Sequence, residues 1–516
     1  MSKTARMLTK GSSLRSLYYL SHVVVSFFMT PFVVYSLGDR LYGFWAFVGV
    51  LVGYYGLLDL GLAEAVQRYI PGAVATEDYK GCNRIFNTAL PLFLALGFAV
   101  FLVTLLAYLL SPFLAGMTGN QEDAALFGKI ILILGINMAI EFPLRLFLGV
   151  LASQLRYDIM SALQLLTLFL RTALVVIVLL SGYQLIALAL VTVLASIPQK
   201  ILTVYFAKKN LPQVQYDRKE WDFATARTLF GYSLYILVAK LADILRFNID
   251  FVVVSTFIGL SAVTHYSIGS ILAGHFMFFI SSTIVVLLPV FSRLHGREDH
   301  ENIKRVFFFA NKISVYLSSF IGFGLIFWGR PFIERWMGPS YLDAYPVLFL
   351  LVLGFIFAFW QNPSFDLLLG TTGYRFVAAI NIIEGVSNLV LSLILVRRFG
   401  LIGVALGTLI PMAIIKLIVQ PIYVSRFLTV RYFEFVGRIS RAISVVALAL
   451  LCPALISIIF AAPDYRALIA LSLISFTLYL PVLWFYGFDH SEAEIIRGVI
   501  FPKRIKSQVA DSRGID

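Results

Sequence analysis

Apolar runs of about 20 residues recur along the whole chain and are separated by short polar stretches. Each run is long enough to cross the hydrocarbon core of a bilayer as an α-helix. The period-two alternation typical of membrane barrels is weak. We count fourteen such runs. The pattern therefore predicts an all-α polytopic membrane protein of about 14 transmembrane helices.

One of these runs, residues 229–258, contains four charged residues: Lys240, Asp243, Arg246 and Asp250. On a continuous helix their spacings place all four on one face, within a sector of roughly 120°. Each would cost about 2.5–3.5 kcal/mol at the centre of a bilayer. The charged stripe is therefore expected to line a protein interior or a watery cavity, which favours a protein that moves polar material.

Composition and charge agree with a membrane location. The chain is 60% hydrophobic and 13% charged, with a net charge of +13. With both termini in the cytoplasm, about 27 Lys and Arg fall in cytoplasmic segments and about 7 on the outer side. The basic surplus thus predicts topology and contact with anionic lipid, and nucleic acid is not expected as a partner.

The sequence offers no recognisable cofactor or metal chemistry. Cys82 and Cys452 are far apart and have no Cys or His beside them. No GxxxxGK[ST] loop is present for ATP, and the longest outer loop, about 329–345, is too short for a soluble domain. We expect a transporter without cofactors, not an enzyme. Its energy would come from an H⁺ or Na⁺ gradient, a substrate gradient or a separate partner.

An internal repeat is visible at a shift of 216–219 residues. Residues 32–36 match residues 251–255, Arg156 and Tyr157 match Arg375 and Phe376, and residues 185–190 match residues 401–406. The repeat predicts two six-helix lobes related by a pseudo-two-fold axis along the membrane normal. The predicted parts are an N-terminal lobe at 1–206, a linker at 207–228, a C-terminal lobe at 229–423, two additional helices within 424–487 and a cytoplasmic tail at 488–516.

Motifs near the N-terminus carry a family resemblance. They are Gly38, Tyr42 and Gly43 around the first outer turn, and Asp59, Gly61 and Arg68 at the inner end of the second helix. With residues 154–158 and 400–408, they resemble polysaccharide-type flippases of the multidrug/oligosaccharidyl-lipid/polysaccharide (MOP) exporter superfamily. The chain departs from drug exporters in its opening motif. It also lacks the arginine-rich early helices of lipid II flippases.

The resemblance implies a function and a location. Family members move undecaprenyl-pyrophosphate-linked oligosaccharide from the cytoplasmic to the periplasmic leaflet of the bacterial inner membrane, by alternating access. The expected pathway partners are a polysaccharide polymerase and glycosyltransferases. An ion-coupled multidrug or small-molecule exporter of the same superfamily is the alternative, and a membrane enzyme is disfavoured by the short outer loops.

A cavity for a pyrophosphate and a glycan should be cationic, because guanidinium and ammonium groups bind phosphate oxygens. The candidate cavity cations are Lys240, Arg246, Arg171, Arg145 and Lys416. Candidates for ion coupling or charge pairing are Asp243, Asp250 and Glu384.

Several of these residues also have a purely structural interpretation. The stripe can pair with itself, Lys240 with Asp243 and Arg246 with Asp250. Arg145 can pair with Glu141, and Lys416 can reach the membrane surface. Asp59 and Arg68 can serve as a helix-end scaffold. Residues 361–363, Gln-Asn-Pro, predict a bend in the tenth helix.

Overall fold

The computed structural model describes residues 3–114, 121–284, 287–371, 373–460, 462, 464–490 and 492–494. The described part of the chain folds into α-helices with short 3₁₀ and π segments and contains no strand. The helices form two compact units, one made from Met1–Ser267 with Val396–Val404 and the other from Ile268–Leu395 with Ala405–Asp516. Most of the predicted tail, 488–516, lies outside the described residues.

The first unit holds the helices that carry most of the candidate residues. In chain order they are α1 (Lys3–Leu37), α2 (Asp39–Tyr54), α3 (Leu62–Ala75), α4 (Tyr79–Leu110), α5 (Gln121–Ser153), α6 (Tyr157–Leu180), α7 (Leu185–Asn210), α8 (Phe223–Phe247) and α9 (Ile249–Phe257). Helix α10 (Leu260–Ile284) begins in this unit and continues into the second. Residues 229–267, which the repeat assigns to the second lobe, thus lie in the first unit, and the two-lobe symmetry stays a prediction.

The second unit contains the remaining described helices, except for Val396–Val404, a short part of α15 that belongs to the first unit. They are α11 (Leu287–His295), α12 (His300–Trp336), α13 (Ala344–Trp360), α14 (Asn362–Leu369), α15 (Tyr374–Ile414), α16 (Gln420–Phe427), α17 (Tyr432–Ile459) and α18 (Tyr465–Val482). A π segment, Ile415–Val419, joins α15 to α16.

The all-helical polytopic fold is confirmed, whereas the exact number of spans is not. Twelve of the described helices are long and apolar enough to cross a membrane, or thirteen when α13 and α14 are counted as one bent span. One 53-residue segment, Arg375–Phe427, includes both predicted spans 376–396 and 401–423. Its helix is interrupted at Gly400, where φ is 55°. Fourteen spans therefore stay a prediction.

The predicted bend at Gln361 is confirmed. Helices α13 and α14 meet there at 48°. Pro363 lies in the first turn of α14, where its missing N–H costs nothing. The Gln361 carbonyl accepts from the backbone N–H groups of Ser364 and Phe365 and also from the Gln420 side-chain amide at 3.1 Å, which connects the bend to α16.

The prediction of one continuous helix over 229–258 is wrong. Helix α8 ends at Phe247, Asn248 has φ −121° and ψ −19°, and α9 starts at Ile249. The hydroxyl of Tyr54 donates to the Asn248 carbonyl at 3.1 Å, so a side chain from another helix satisfies the backbone at the break. The break places Asp250 on a different helix from the other three charged residues.

Candidate functional site

A buried carboxylate, Asp59, is the centre of the candidate site. It ends the 3₁₀ segment Tyr55–Asp59, and its side chain is 1% exposed. Arg145 Nη1 on α5 donates to Asp59 Oδ2 at 2.8 Å. Lys240 Nζ on α8 lies 2.9 Å from Oδ1 and 3.1 Å from Oδ2. Because a buried charge is costly unless it is paired, these two cations compensate the Asp59 carboxylate and join three segments of the chain.

The backbone after Asp59 explains the Asp-Leu-Gly motif. Leu60 and Gly61 both have positive φ, 52° and 80°. The Gly61 N–H donates to Asp59 Oδ1 at 2.8 Å. A Cβ at position 61 would lie 2.6 Å from the backbone carbonyl oxygen of Ser233 on α8. Glycine is thus required for both the turn and the close approach of α8, which brings Lys240 to Asp59.

Two more accessible carboxylates lie beside the same cations. Lys240 Nζ is 2.9 Å from Glu64 Oε1, and Arg145 Nη2 is 3.8 Å from Glu141 Oε1. The side chains of Glu64 and Glu141 are 41% and 40% exposed. The site thus consists of one buried carboxylate, the two cations that contact it and a more exposed carboxylate beside each cation.

Lys200 on α7 is a cation near this site that the sequence analysis missed. Its Nζ lies 3.3 Å from the Asn137 carbonyl oxygen, and Glu141 attracts it electrostatically. Asn137, Glu141 and Arg145 are four residues apart on α5 and so share one face of that helix. The sequence feature that could have identified Lys200 is its position within an apolar helix, ten residues before the helix ends.

One of the two predicted pairs within the charged stripe, Lys240 with Asp243, is replaced by contacts with other segments. Lys240 pairs with Asp59 and Glu64 on other segments instead of with Asp243. Arg246 Nη1 lies 3.5 Å from Asp243 Oδ1, and its guanidinium stacks over the Phe247 ring at 4.7 Å. Buried Asp250, on α9, accepts a hydrogen bond from the Tyr266 hydroxyl at 2.6 Å. The stripe therefore has at least three different environments.

The remaining candidates lie elsewhere. Arg171 is on the exposed side of α6 and interacts electrostatically with Tyr18 and His22 of α1. In the second unit, Lys416 Nζ lies 3.6 Å from Glu384 Oε2, and both side chains are buried. Lys416 therefore does not reach the membrane surface. The structure instead joins it to Glu384, which the sequence analysis treated separately.

The motif formed by Gly38, Tyr42 and Gly43 joins α2 to the start of α10. Gly38 precedes α2 with φ 77°, and a Cβ at Gly43 would lie 1.8 Å from the Leu260 carbonyl oxygen. The Thr264 hydroxyl donates to the Asp39 carbonyl at 2.6 Å, and Tyr42 shares a hydrogen bond with Ser267. The motif glycine thus permits a backbone contact between two helices.

Arg68 is the last of the residues that carry the family resemblance. It is exposed on α3 with its guanidinium 5.9 Å from the centre of the Tyr69 ring.

Comparison with known proteins identifies one matching family and several similar membrane proteins. A family described as polysaccharide biosynthesis protein matches residues 82–346. An uncharacterized membrane protein, EpsK, of Bacillus subtilis is 24% identical, and the alignment covers 82% of this chain and 85% of EpsK. A putative O-antigen transporter of Shigella flexneri is 21% identical over 76% of this chain and 92% of the relative.

Solved structures with the same fold include two MOP-type transporters. An inward-facing multidrug resistance MATE family transporter of the MOP superfamily aligns with a TM-score of 0.67 at 15% identity, covering 86% of this chain and 99% of that one. The lipid II flippase MurJ, in an inward closed conformation, aligns with a TM-score of 0.66 at 16% identity, covering 91% and 97%. The family match covers just over half of the sequence. This multi-pass membrane protein therefore belongs to the polysaccharide biosynthesis protein family and has the fold of MOP superfamily transporters.

Proposed function

We propose that the protein flips a polyprenyl-pyrophosphate-linked oligosaccharide from the cytoplasmic to the periplasmic leaflet of the bacterial inner membrane, with both termini in the cytoplasm. The observation that carries the proposal is the pair of cations, Arg145 and Lys240, fixed by buried Asp59 inside an apolar helical unit. The family match and the O-antigen transporter named among the relatives support the same substrate class.

The cation pair suits a diphosphate. Arg145 offers a planar fork for two phosphate oxygens, and Lys240 a compact point charge. Asp59 contacts both cations, fixes their orientation and compensates part of their charge. The two cations are therefore already in place when the substrate arrives. The accessible carboxylates Glu64 and Glu141 repel an incoming diphosphate. They must therefore turn away when it enters, so that the phosphate oxygens can replace them beside the two cations.

The same two carboxylates favour one alternative. Accessible Glu64 and Glu141 would also attract an amphipathic cation, as required by an exporter of small molecules. In that case Lys240 would oppose binding, and its neutralisation would raise transport. The two functions therefore predict opposite signs for the same substitution.

The first test is the leaflet location of lipid-linked glycan in cells that rely on this protein. Depletion should trap completed lipid-linked units on the cytoplasmic side, as measured by glycosidase access in sealed vesicles of both orientations. Lys240→Ala should reduce export at least tenfold, since a hydrogen bond to a charged group contributes about 1.5–3 kcal/mol and about 1.4 kcal/mol of lost binding is a tenfold effect.

Lys312→Ala is the matched control for that experiment. Lys312 is 25% exposed, comparable to 28% for Lys240, and pairs with Glu492 at 2.6 Å outside the candidate site. It should leave export within about twofold, as expected for a part-exposed ion pair. Normal outer-leaflet glycan after depletion, with other flippases deleted, would overturn the proposal. Increased drug resistance in Lys240→Ala would support the exporter instead.

We further propose that the Glu384–Lys416 pair carries the coupling to an H⁺ or Na⁺ gradient. A buried carboxylate beside a lysine can exchange one positive partner for another, because the low dielectric keeps the net charge of the pair near zero. Glu384→Gln should lower the amount of folded protein by leaving the Lys416 charge uncompensated.

The double variant Glu384→Gln with Lys416→Met separates folding from coupling. It removes both charges, so folded protein should return while flipping in vesicles no longer responds to an imposed ion gradient. A full gradient response in the folded double variant would exclude the pair from coupling.

A further inference from the structure

A second cavity lies away from the charged site, at the end of α7. It has a volume of about 500 Å³ and lies between α4, α5, the last turn of α7 and the segment 211–216. Its lining is mainly apolar and includes Phe86, Phe147, Val150 and Val214. Lys208 is the charged residue of the lining. The cavity is thus large and apolar enough for a hydrocarbon chain and has one cation at its edge.

The segment over the cavity is fixed by two asparagines of α4. Asn83 donates to the Gln213 carbonyl at 3.1 Å and accepts from the Gln215 N–H at 2.9 Å. One turn later, Asn87 repeats this pattern with the Gln215 carbonyl and the Asp217 N–H, both at 2.9 Å. The two side-chain amides pair with alternate residues of an extended backbone, much as a neighbouring strand would. The two asparagines therefore fix the position of this segment over the cavity.

The surroundings of the cavity are those of a membrane interface. Helix α7 is a candidate membrane span that ends at Asn210, with Lys208 and Lys209 in its last turn. Tyr205, Tyr216 and Trp221 are exposed around it. Exposed aromatic rings beside basic residues mark the headgroup region of a bilayer. The basic loops assign this end to the cytoplasmic leaflet, whose surface is anionic.

We propose that this cavity binds one acyl chain of an anionic phospholipid of the cytoplasmic leaflet, with the headgroup at Lys208. The apolar lining selects a hydrocarbon chain, and the ammonium group selects a negatively charged headgroup. A bound chain would fill the space beneath residues 211–216. These residues lead to Asp222, which caps the first turn of α8 through the Thr225 N–H at 2.8 Å. The site is distinct from the Asp59 cluster and does not depend on what the protein transports.

The experiment is a lipid titration of the detergent-purified full chain followed by native mass spectrometry. The probes are phosphatidylglycerol and phosphatidylethanolamine with identical acyl chains. We expect one tightly retained phosphatidylglycerol per protein. Lys208→Gln should weaken its binding about fivefold, the effect of one lysine at an anionic surface. Val214→Trp should abolish it by filling the cavity.

Each variant has a neighbour as its control. Lys209→Gln removes the same charge from the same turn, but Lys209 lies 5.7 Å over the Tyr205 ring and does not line the cavity. Gln213→Trp adds the same ring to the same segment at an exposed residue that also does not line the cavity. Both controls should retain phosphatidylglycerol as the parent protein does.

Three results would overturn the proposal. Equal retention of both lipids, unchanged in all variants, would show ordinary annular lipid. Equal weakening by Lys208→Gln and Lys209→Gln would show a diffuse basic surface. One-for-one displacement of phosphatidylglycerol by undecaprenyl phosphate would show that the cavity takes the tail of the transported lipid instead.

Discussion

Replacing Asp59 by asparagine should abolish glycan export and destabilise the protein, and adding Lys240→Met should restore stability without restoring export. Asp59→Asn removes the buried carboxylate that compensates Arg145 and Lys240, whose side chains are 19% and 28% exposed. Removing one partner of a buried ion pair costs about 3–5 kcal/mol, because a charge is left without compensation. We expect the lower end of this range, since Lys240 is 28% exposed and retains Glu64 at 2.9 Å, and Arg145 retains Glu141 at 3.8 Å.

The double variant separates the two roles of the cluster. With Lys240→Met, Arg145 is the one cation of the pair that still lacks the Asp59 carboxylate, and it retains Glu141 at 3.8 Å. Folding should therefore recover, as measured by the apparent Tm of the purified protein. Export should stay absent because the diphosphate has lost one of its two cations. If the folded double variant exports glycan normally, Asp59 and Lys240 form a structural brace and do not contact the substrate.

This cluster also shows why the sequence could predict the cations but not their arrangement. The charged stripe could be recognised because charges within an apolar run are costly and are expected to face a protein interior or a cavity. Its principal partner, Asp59, is 181 residues away from Lys240, and helical spacing cannot predict such a pairing. Local i,i+3 and i,i+4 rules therefore favoured Asp243, which the structure does not pair with Lys240.

Other parts of the fold follow the same division between local and long-range information. Helix positions follow from apolar run length, and the bend at Gln361 follows from the proline after it. The break at Asn248 has no proline or glycine and depends on Tyr54 of another helix. Lys200 resembled an ordinary lysine near a helix end, and only packing against Asn137 and Glu141 places it near the site. The Glu384–Lys416 pair likewise depends on how α15 folds at Gly400.

Substituting Gly43 by alanine should lower export about tenfold while Gly49→Ala has no adverse effect. The new Cβ at position 43 would lie 1.8 Å from the Leu260 carbonyl oxygen, and backbone atoms of a helix cannot turn away. Helices α2 and α10 would have to separate by roughly 1.5 Å to reach ordinary contact distance. Such overpacking typically costs about 1–3 kcal/mol. The hydrogen bond from Thr264 to the Asp39 carbonyl, 2.6 Å long, would be lost with it.

Gly49 provides the comparison on the same helix. A Cβ there meets nothing within 4 Å, so Gly49→Ala should gain the helix preference of alanine, about 1 kcal/mol, without a clash. Export of lipid-linked glycan and hydrogen exchange at the start of α10 should be measured together for both variants. Faster exchange and lost export in Gly43→Ala alone would tie transport to the contact between α2 and α10. Equal export by the two alanine variants would show that the close approach at Gly43 is dispensable. Gly43 would then contribute only to helix packing. Transport would have to depend on other helix contacts.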